Sequence, residues 1–475
     1  MNERTSRPIM TFAALALLGV TLALYWPGYA TYDSVVQFRQ VLDGQYDDWH
    51  PPVLARLWAL LGGAHFGTGP MFVLQASLYW CGLGLLAERL RRMGRARAGW
   101  AVLALGLTPP IIGWQVVVLK DAQMLGAMLA ATGLAGWWRL AGKRIPPAAW
   151  LLITILLIYA ALVRSNAAFA VVPFFVLLTG PSLRWPGRAL LMLGGIAIVL
   201  AASPLINRQL LRAADSGVTR SQAIYDLAGI AVRAGDALPE GAALRRADCV
   251  TPFFWDRLGE GNCGRATASW QAMRPSQLYR RLAMAILQHP LAYALQRLTH
   301  LNSTERWLVP AHWPNAAPPA ASEPDRAGLA APGRAASTAQ AMLSFFTDMP
   351  IGWPICWVVA ALLALWTAMK RPGDDIAELA LALAGSTLML EASFGIISIA
   401  SDLRYHLWPM LAAGLALLLM VDRLDRRAAW IASAVLALLV ASGASVRLMS
   451  PRVTIATAAI PIAAKAIALP LPSRG

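Results

Sequence analysis

The chain has 475 residues, of which 57% are hydrophobic and only 14% charged, and its mean hydropathy is +0.53. A soluble protein of this length needs far more charged surface, which excludes a water-soluble globular enzyme. The formal net charge of +16 invites a nucleic-acid reading, but the placement of the basic residues explains it through membrane topology, and no nucleic-acid partner is expected.

Apolar runs of about 20 residues, the length that crosses a bilayer core as helix, recur along the chain. Solidly apolar runs predict helices, because barrel strands would alternate. The expected fold is an all-α polytopic membrane protein with about eleven spans. They lie near 9–26, 69–87, 99–115, 122–138, 147–163, 167–180, 189–206, 350–368, 377–397, 407–421 and 428–446. The first run lacks a small-residue cleavage site and reads as a retained span, not a removed signal peptide.

With the N-terminus inside, the inside segments hold 17 of the 41 basic residues, including Arg89, Arg91, Arg92, Arg95 and Arg97. The short outside segments hold five: Arg39, Arg56, Lys120, Arg164 and Arg404. Long loops translocate largely regardless of charge, so the loop 207–349 does not weigh on this positive-inside bias. An Arg- and Ala-rich composition resembles that of a GC-rich bacterial genome, and the expected location is a bacterial inner (plasma) membrane with a cytoplasmic N-terminus. All six histidines fall on the outer side. Cys249 and Cys263 lie in the long outer loop, where an oxidising compartment would join them as a disulfide. Closing that loop would contribute about 3 kcal/mol; the alternative is two free buried thiols.

Three regions follow from this map. Residues 1–206 form an N-terminal membrane module. Residues 207–349 form a helical extracytoplasmic insert, with a Pro/Ala-rich stretch at 314–340 expected to be a mobile linker. Residues 350–475 supply the C-terminal helices and an outer tail. In the first outer loop, 27–68, the stretch from Val53 to Gly62 is too short to span and fits an interfacial helix. No internal repeat, Walker motif, GxGxxG fingerprint or CxxC zinc pair occurs.

Ionisable groups at membrane boundaries are costly and usually functional. Asp33 follows the first span, and Asp47, Asp48 and His50 end the same loop. Lys120 and Asp121 stand before the fourth span, and Arg164 and Asn166 break the turn between the fifth and sixth. Glu391 lies within the ninth span, and Asp402, Arg404, Tyr405 and His406 precede the tenth. All map to one face of the membrane. A carboxylate can take a proton from an acceptor hydroxyl, and cations can bind a phosphate leaving group. The plainer roles also stand: Asp33 as a helix cap, Asp47 and Asp48 as turn residues, Lys120 with Asp121 as an ion pair, and Arg164 as a snorkelling anchor.

Asp33 in a first outer loop with an interfacial helix resembles the GT-C superfamily of integral-membrane glycosyltransferases. Pro27-Gly28 through Asp33-Ser34 and Gln37, Asp48-Trp49-His50-Pro51, Lys120-Asp121, Arg164-Ser165-Asn166 and Asp402-Leu403-Arg404-Tyr405-His406 are similar to elements of a bacterial subset. The resemblance implies an inverting transfer from a polyprenyl-phosphate sugar to an envelope acceptor. Asp33 would be the base, with Asp48 as the other catalytic candidate. Lys120, Arg164 and Arg404 would hold the phosphate, and Asp48 and His50 would orient substrate. Asp121, Asn166, Asp402, Tyr405 and His406 complete the expected substrate-binding set. No cofactor is certain, and the resemblance allows a divalent cation (Mg²⁺ or Mn²⁺) at Asp33 and Asp48. Many relatives carry two adjacent acids in this loop, whereas here Asp33 stands alone, 14 residues before Asp47-Asp48. Competing expectations are a polymerase or ligase of lipid-linked glycans, a transporter or flippase, and a non-catalytic assembly factor.

Overall fold

The computed structural model describes residues 7–180, 183–235 and 240–450. Among them no strand forms; two isolated parallel bridges, Tyr29 to Val117 and Asp47 to Ala214, are the exceptions to helix and loop. The outer tail beyond residue 450 falls outside the described residues.

The N-terminal region runs α1 (Ile9–Tyr25), α2 (Tyr32–Asp43), α3 (Val53–Leu60), α4 (Gly63–Phe66), α5 (Gly69–Arg92), α6 (Ala96–Leu105), α7 (Pro109–Gln115), α8 (Lys120–Arg139), α9 (Pro147–Val163), α10 (Ala168–Thr179) and α11 (Trp185–Leu205). The insert holds α12 (Ser221–Arg233), α13 (Gly241–Arg246), α14 (Gly261–Gln271), α15 (Pro275–Gln288), α16 (Pro290–Glu305) and α17 (Arg334–Phe345). The C-terminal region adds α18 (Pro354–Met369), α19 (Asp375–Ile397), α20 (Leu407–Met420) and α21 (Arg426–Met449).

Among the described residues, five helical stretches are long and apolar enough to cross a membrane: Gly69–Arg92, Trp185–Leu210, Asp375–Ile397, Leu403–Arg423 and Arg426–Met449. They mark the chain as a membrane protein. Only 6% of the most apolar window in Trp185–Leu210, and 6% in Arg426–Met449, is buried within the protein. A helix apolar all round yet uncovered by protein fits contact with lipid. The sequence-predicted third span is broken into α6 and α7, because the chain leaves helix at Gly106–Thr108 ahead of Pro109 and Pro110.

α5 and α8 form the centre of the bundle. A side chain at Gly133 would collide with the Gly82 carbonyl, and one at Gly126 would sit 3.0 Å from the Gln75 carbonyl oxygen. Small residues let two backbones approach where lipid supplies no hydrophobic drive. Between α7 and α8 the backbone is extended, and buried Gln75 donates to the carbonyls of Gln115 and Val117 at 2.6 and 2.9 Å. Such partners allow irregular backbone inside an apolar bundle.

The basic segments meet one another. Arg95 pairs with Asp422 at 2.6 Å, Arg139 with Glu378 at 3.5 Å, and Arg423 with Asp374. α8 starts at Lys120 and ends at Arg139 after 20 residues, so roughly 30 Å of helix separates Lys120 from this basic end.

The insert has its own core around Tyr225, Leu227, Trp270 and Leu278, with Cys249 and Cys263 joined as a disulfide. The stretch 314–340, expected as a mobile linker, is instead tied to the membrane module. Glu323 N donates to Ala30 O at 2.8 Å, Ser322 Oγ accepts from Ala30 N at 3.1 Å, and Trp114 Nε1 donates to Ala316 O at 3.0 Å. Its last residues already belong to α17. Polar backbone in a Pro/Ala-rich segment is thus satisfied by the first loop and α7.

Candidate active site

Two short backbone pairings build the site. Tyr29 N donates to Val116 O at 3.1 Å, and Val118 N donates to Tyr29 O at 2.8 Å. Gly28, at φ +93°, makes this approach possible, since a side chain there would lie 3.0 Å from both Phe72 and Val118. Ser34 Oγ adds a 2.6 Å bond to Val118 O, and the Thr31–Ser34 capping box starts α2. These contacts set Asp33, in the first turn of α2, beside Lys120, the first residue of α8. A cation at a helix N-terminus is electrostatically disfavoured, so Lys120 needs anionic partners.

Asp33 is at the centre of the charge network. Its Oδ2 lies 2.9 Å from Arg404 Nη1 and 3.6 Å from Lys120 Nζ, and its Oδ1 lies 3.7 Å from His50 Nε2. Lys120 Nζ meets His50 Nδ1 at 2.7 Å. Burial would raise the Asp33 carboxyl, but Arg404, Lys120 and His50 outweigh it and hold the group well below the usual carboxylate range. Burial, with Lys120 and Arg404 adding to it, pushes His50 down to about 3. The imidazole is therefore neutral at pH 7, accepts from the Lys120 ammonium at Nδ1 and turns its Nε2–H toward Asp33. Lys120 stands just ahead of the apolar run 122–138. Burial pushes it down to about 8, partly countered by Asp33.

The remaining cations join the same network. Arg404 also holds Asp402 at 2.9 Å and approaches Asp121 at 3.9 Å. Arg164 pairs with Asp121, donates to Asn166 Oδ1 at 2.5 Å and stacks 4.1 Å from the Tyr405 ring centre. Nine of the sequence-predicted site residues thus form one connected group: Asp33, His50, Lys120, Asp121, Arg164, Asn166, Asp402, Arg404 and Tyr405.

Two cavities adjoin this group. The first, of about 640 Å³, is lined by Lys120, Arg164, Arg208 and Tyr405 and by apolar residues including Phe169, Leu200 and Phe394. The second, of about 780 Å³, is lined by Asp33, Asp402 and Arg404, by Asp256 and Glu260 of the insert, and by aromatic residues including Trp114 and Trp313.

No protein-family model and no curated protein matches this chain.

Two predicted residues stand apart. Asp48 borders the first cavity, but its carboxylate accepts from Ser216 N and Oγ at 2.8 and 2.7 Å and from Arg208 Nε at 2.7 Å. It ties the first loop to the segment after α11 instead of joining Asp33. His406 is fully buried, and its Nδ1 lies 2.8 Å from Glu391 Oε2. The short 3-10 turn Leu403–His406 sends Arg404 into the charge network and His406 into the bundle.

The donor set does not fit a divalent cation at Asp33 and Asp48. Asp33 already faces Arg404 and Lys120, Asp48 is satisfied by Ser216 and Arg208, and no group of three or more potential ligands occurs among the described residues. Sequence reasoning missed Asp256, Glu260 and Arg208. Asp256 and Glu260 sit in an insert with no motif to single them out; only their placement in the second cavity does. Burial, then the charges of Asp402 and Asp33, push Asp256 up to about 7.

Proposed function

We propose that this chain is a GT-C-type membrane glycosyltransferase that moves a sugar from a polyprenyl-phosphate carrier to an envelope glycan, lipid or protein acceptor. One observation carries the proposal: Asp33 lies where a cationic, partly apolar cavity and an acidic, aromatic cavity adjoin the same charge network. A lipid phosphate suits the first, where Lys120 and Arg164 offer charge-assisted bonds beside apolar walls. Sugar hydroxyls suit the second, where carboxylates accept hydrogen bonds and aromatic faces offer stacking.

The chemistry follows from this arrangement. The incoming phosphate draws Lys120 and Arg164 toward itself, and Asp33 gains basicity as the Lys120 charge is shared. Asp33 then takes the proton of an acceptor hydroxyl. The acceptor oxygen bonds to the anomeric carbon from the face opposite the phosphate, giving inversion. The bond between anomeric carbon and phosphate oxygen breaks, and its electron pair leaves with polyprenyl phosphate, which the cations stabilise. His50 orients Lys120, and Asp121 with Asn166 orients Arg164. Asp48 acts in this account as a tether, not as the base.

The basic residues near Arg91 and Arg139 belong on the cytoplasmic side by the positive-inside rule. In that orientation the charge network, the insert and the Cys249–Cys263 disulfide would face the extracytoplasmic side of a bacterial inner membrane, a compartment where disulfides persist. The test is turnover by purified protein in lipid, offered a panel of polyprenyl-phosphate sugars with and without an envelope extract. Acceptor-dependent release of polyprenyl phosphate is expected. No release with any donor, from folded protein, would shift the assignment toward a glycan ligase or a transporter.

A further inference from the structure

The insert is held against the membrane helices by α16. Arg297 Nη1 donates to Ser398 O at 2.7 Å, Ser303 Oγ donates to Ser401 Oγ at 2.9 Å, and the Glu305 carboxyl meets Glu391. Leu301 packs over Gly395. Arg297, Leu301 and Glu305 meet Ser398, Gly395 and Glu391 in turn, so the end of α16 runs antiparallel alongside the last two turns of α19, while Ser303 reaches the segment that follows it. Because α19 is one of the membrane-crossing helices, this end of α16 lies at membrane depth.

The opposite side of α15 and α16 is uncovered. Met284 is 50% exposed, Leu287 75%, Leu291 78%, Leu295 55% and Leu298 61%. Their spacing of three and four residues gives one stripe that runs through the bend at His289-Pro290. The polar groups beside it on α16 are already paired, and exposed Gln288 stands at the bend. Thr299 Oγ donates to Leu295 O at 2.6 Å, and Asn302 both donates to Leu308 O at 3.0 Å and accepts from Leu308 N at 2.9 Å. Exposed Arg280 precedes Met284 by one turn on the same side of α15. A long basic side chain there can reach lipid phosphate while its stem covers apolar surface.

We infer that α15 and α16 form a wedge at the leaflet on the insert's side, with Leu298 and Leu295 reaching the acyl chains, Leu291 and Leu287 at the boundary between acyl chains and headgroups, and Arg280 at the headgroups. Three features favour lipid over a protein partner: continuity with the end of α19, the paired polar groups of α16 beside the stripe, and the cation at the shallow end. The wedge also bears on the first cavity, since Tyr279 of α15 lines it opposite Leu200 and Pro204 of α11. The insert is then a part of the membrane body rather than a domain hanging from it.

The test is spin-label accessibility in the full chain, reconstituted in lipid on a Cys81→Ser, Cys356→Ser background. Labels go at Leu291→Cys and Leu295→Cys, with Leu438→Cys on α21 as a membrane control and Ala321→Cys as a water control. At 291, 295 and 438 oxygen accessibility should exceed that of a water-soluble nickel complex several-fold, with the reverse at 321. Nickel preference at 291 and 295, with 438 still favouring oxygen, overturns the wedge. Low access to both reagents at 291 and 295 overturns it in favour of a protein contact such as a second copy. Nickel preference at 438 as well overturns the membrane placement on which it rests. Using two wedge positions keeps the result decisive if one variant fails to fold.

Discussion

Arg404 joins two carboxylates that lie far apart in sequence: its guanidinium stands 2.9 Å from Asp33 and 2.9 Å from Asp402. Asp402 keeps the guanidinium partnered when Asp33 takes up a proton, so Asp33 can act as a base without leaving Arg404 as a buried unpaired charge.

Lys120 should make donor binding pH-dependent. Its ammonium, pushed down to about 8, is charged below that pH and progressively lost above it. Affinity for polyprenyl phosphate should hold from pH 7 to 8 and weaken about tenfold by pH 9. Lys120→Arg, which stays charged, should remove the fall. Binding titrations across this range check it, and an unchanged pH slope in Lys120→Arg contradicts the assignment.

Asp256 should make stability depend on pH in the opposite sense from an ordinary salt-bridged acid. Its folded-state value of about 7 exceeds the ordinary 3.8 of an aspartate carboxyl, so the folded chain binds more protons between those limits. Its contribution is most favourable below about pH 4 and is lost as pH rises through 7. Asp256→Asn should raise Tm at pH 8, by roughly 1–3 kcal/mol of stability, and make little difference near pH 4. Thermal melts at both pH values decide this.

Asp48→Ala should act on stability first. It removes two bonds to Ser216 and one to Arg208, each charge-assisted, for a cost of about 2–4 kcal/mol. Tm should fall clearly, while turnover measured below the transition drops far less than in Asp33→Asn. Loss of turnover without loss of Tm would return Asp48 to a direct role in the reaction.

Much of the site is legible in the sequence because charges at the ends of apolar runs are expensive. Asp33, Lys120, Arg164 and Arg404 stand out on that ground alone. Their convergence is not legible, since it depends on the Tyr29–Val117 bridge and the non-helical segment between α7 and α8, neither of which has a periodic signal. Neighbours in sequence also misled: His406 follows Arg404 by two residues, yet the 3-10 turn buries it against Glu391. Asp48 carries the right chemistry for a base, and only Ser216, 168 residues away, reveals its tether. The stretch 314–340 has the composition of a linker, and its anchors on Ala30 and Trp114 are long-range bonds that composition does not encode.

The most direct measurement is single-turnover sugar transfer by wild type and Asp33→Asn, alongside donor binding by both. The variant should bind donor within a few-fold of wild type and lose transfer by at least about 100-fold, the scale of general-base catalysis. Transfer retained near the wild-type rate would contradict the central role given to Asp33.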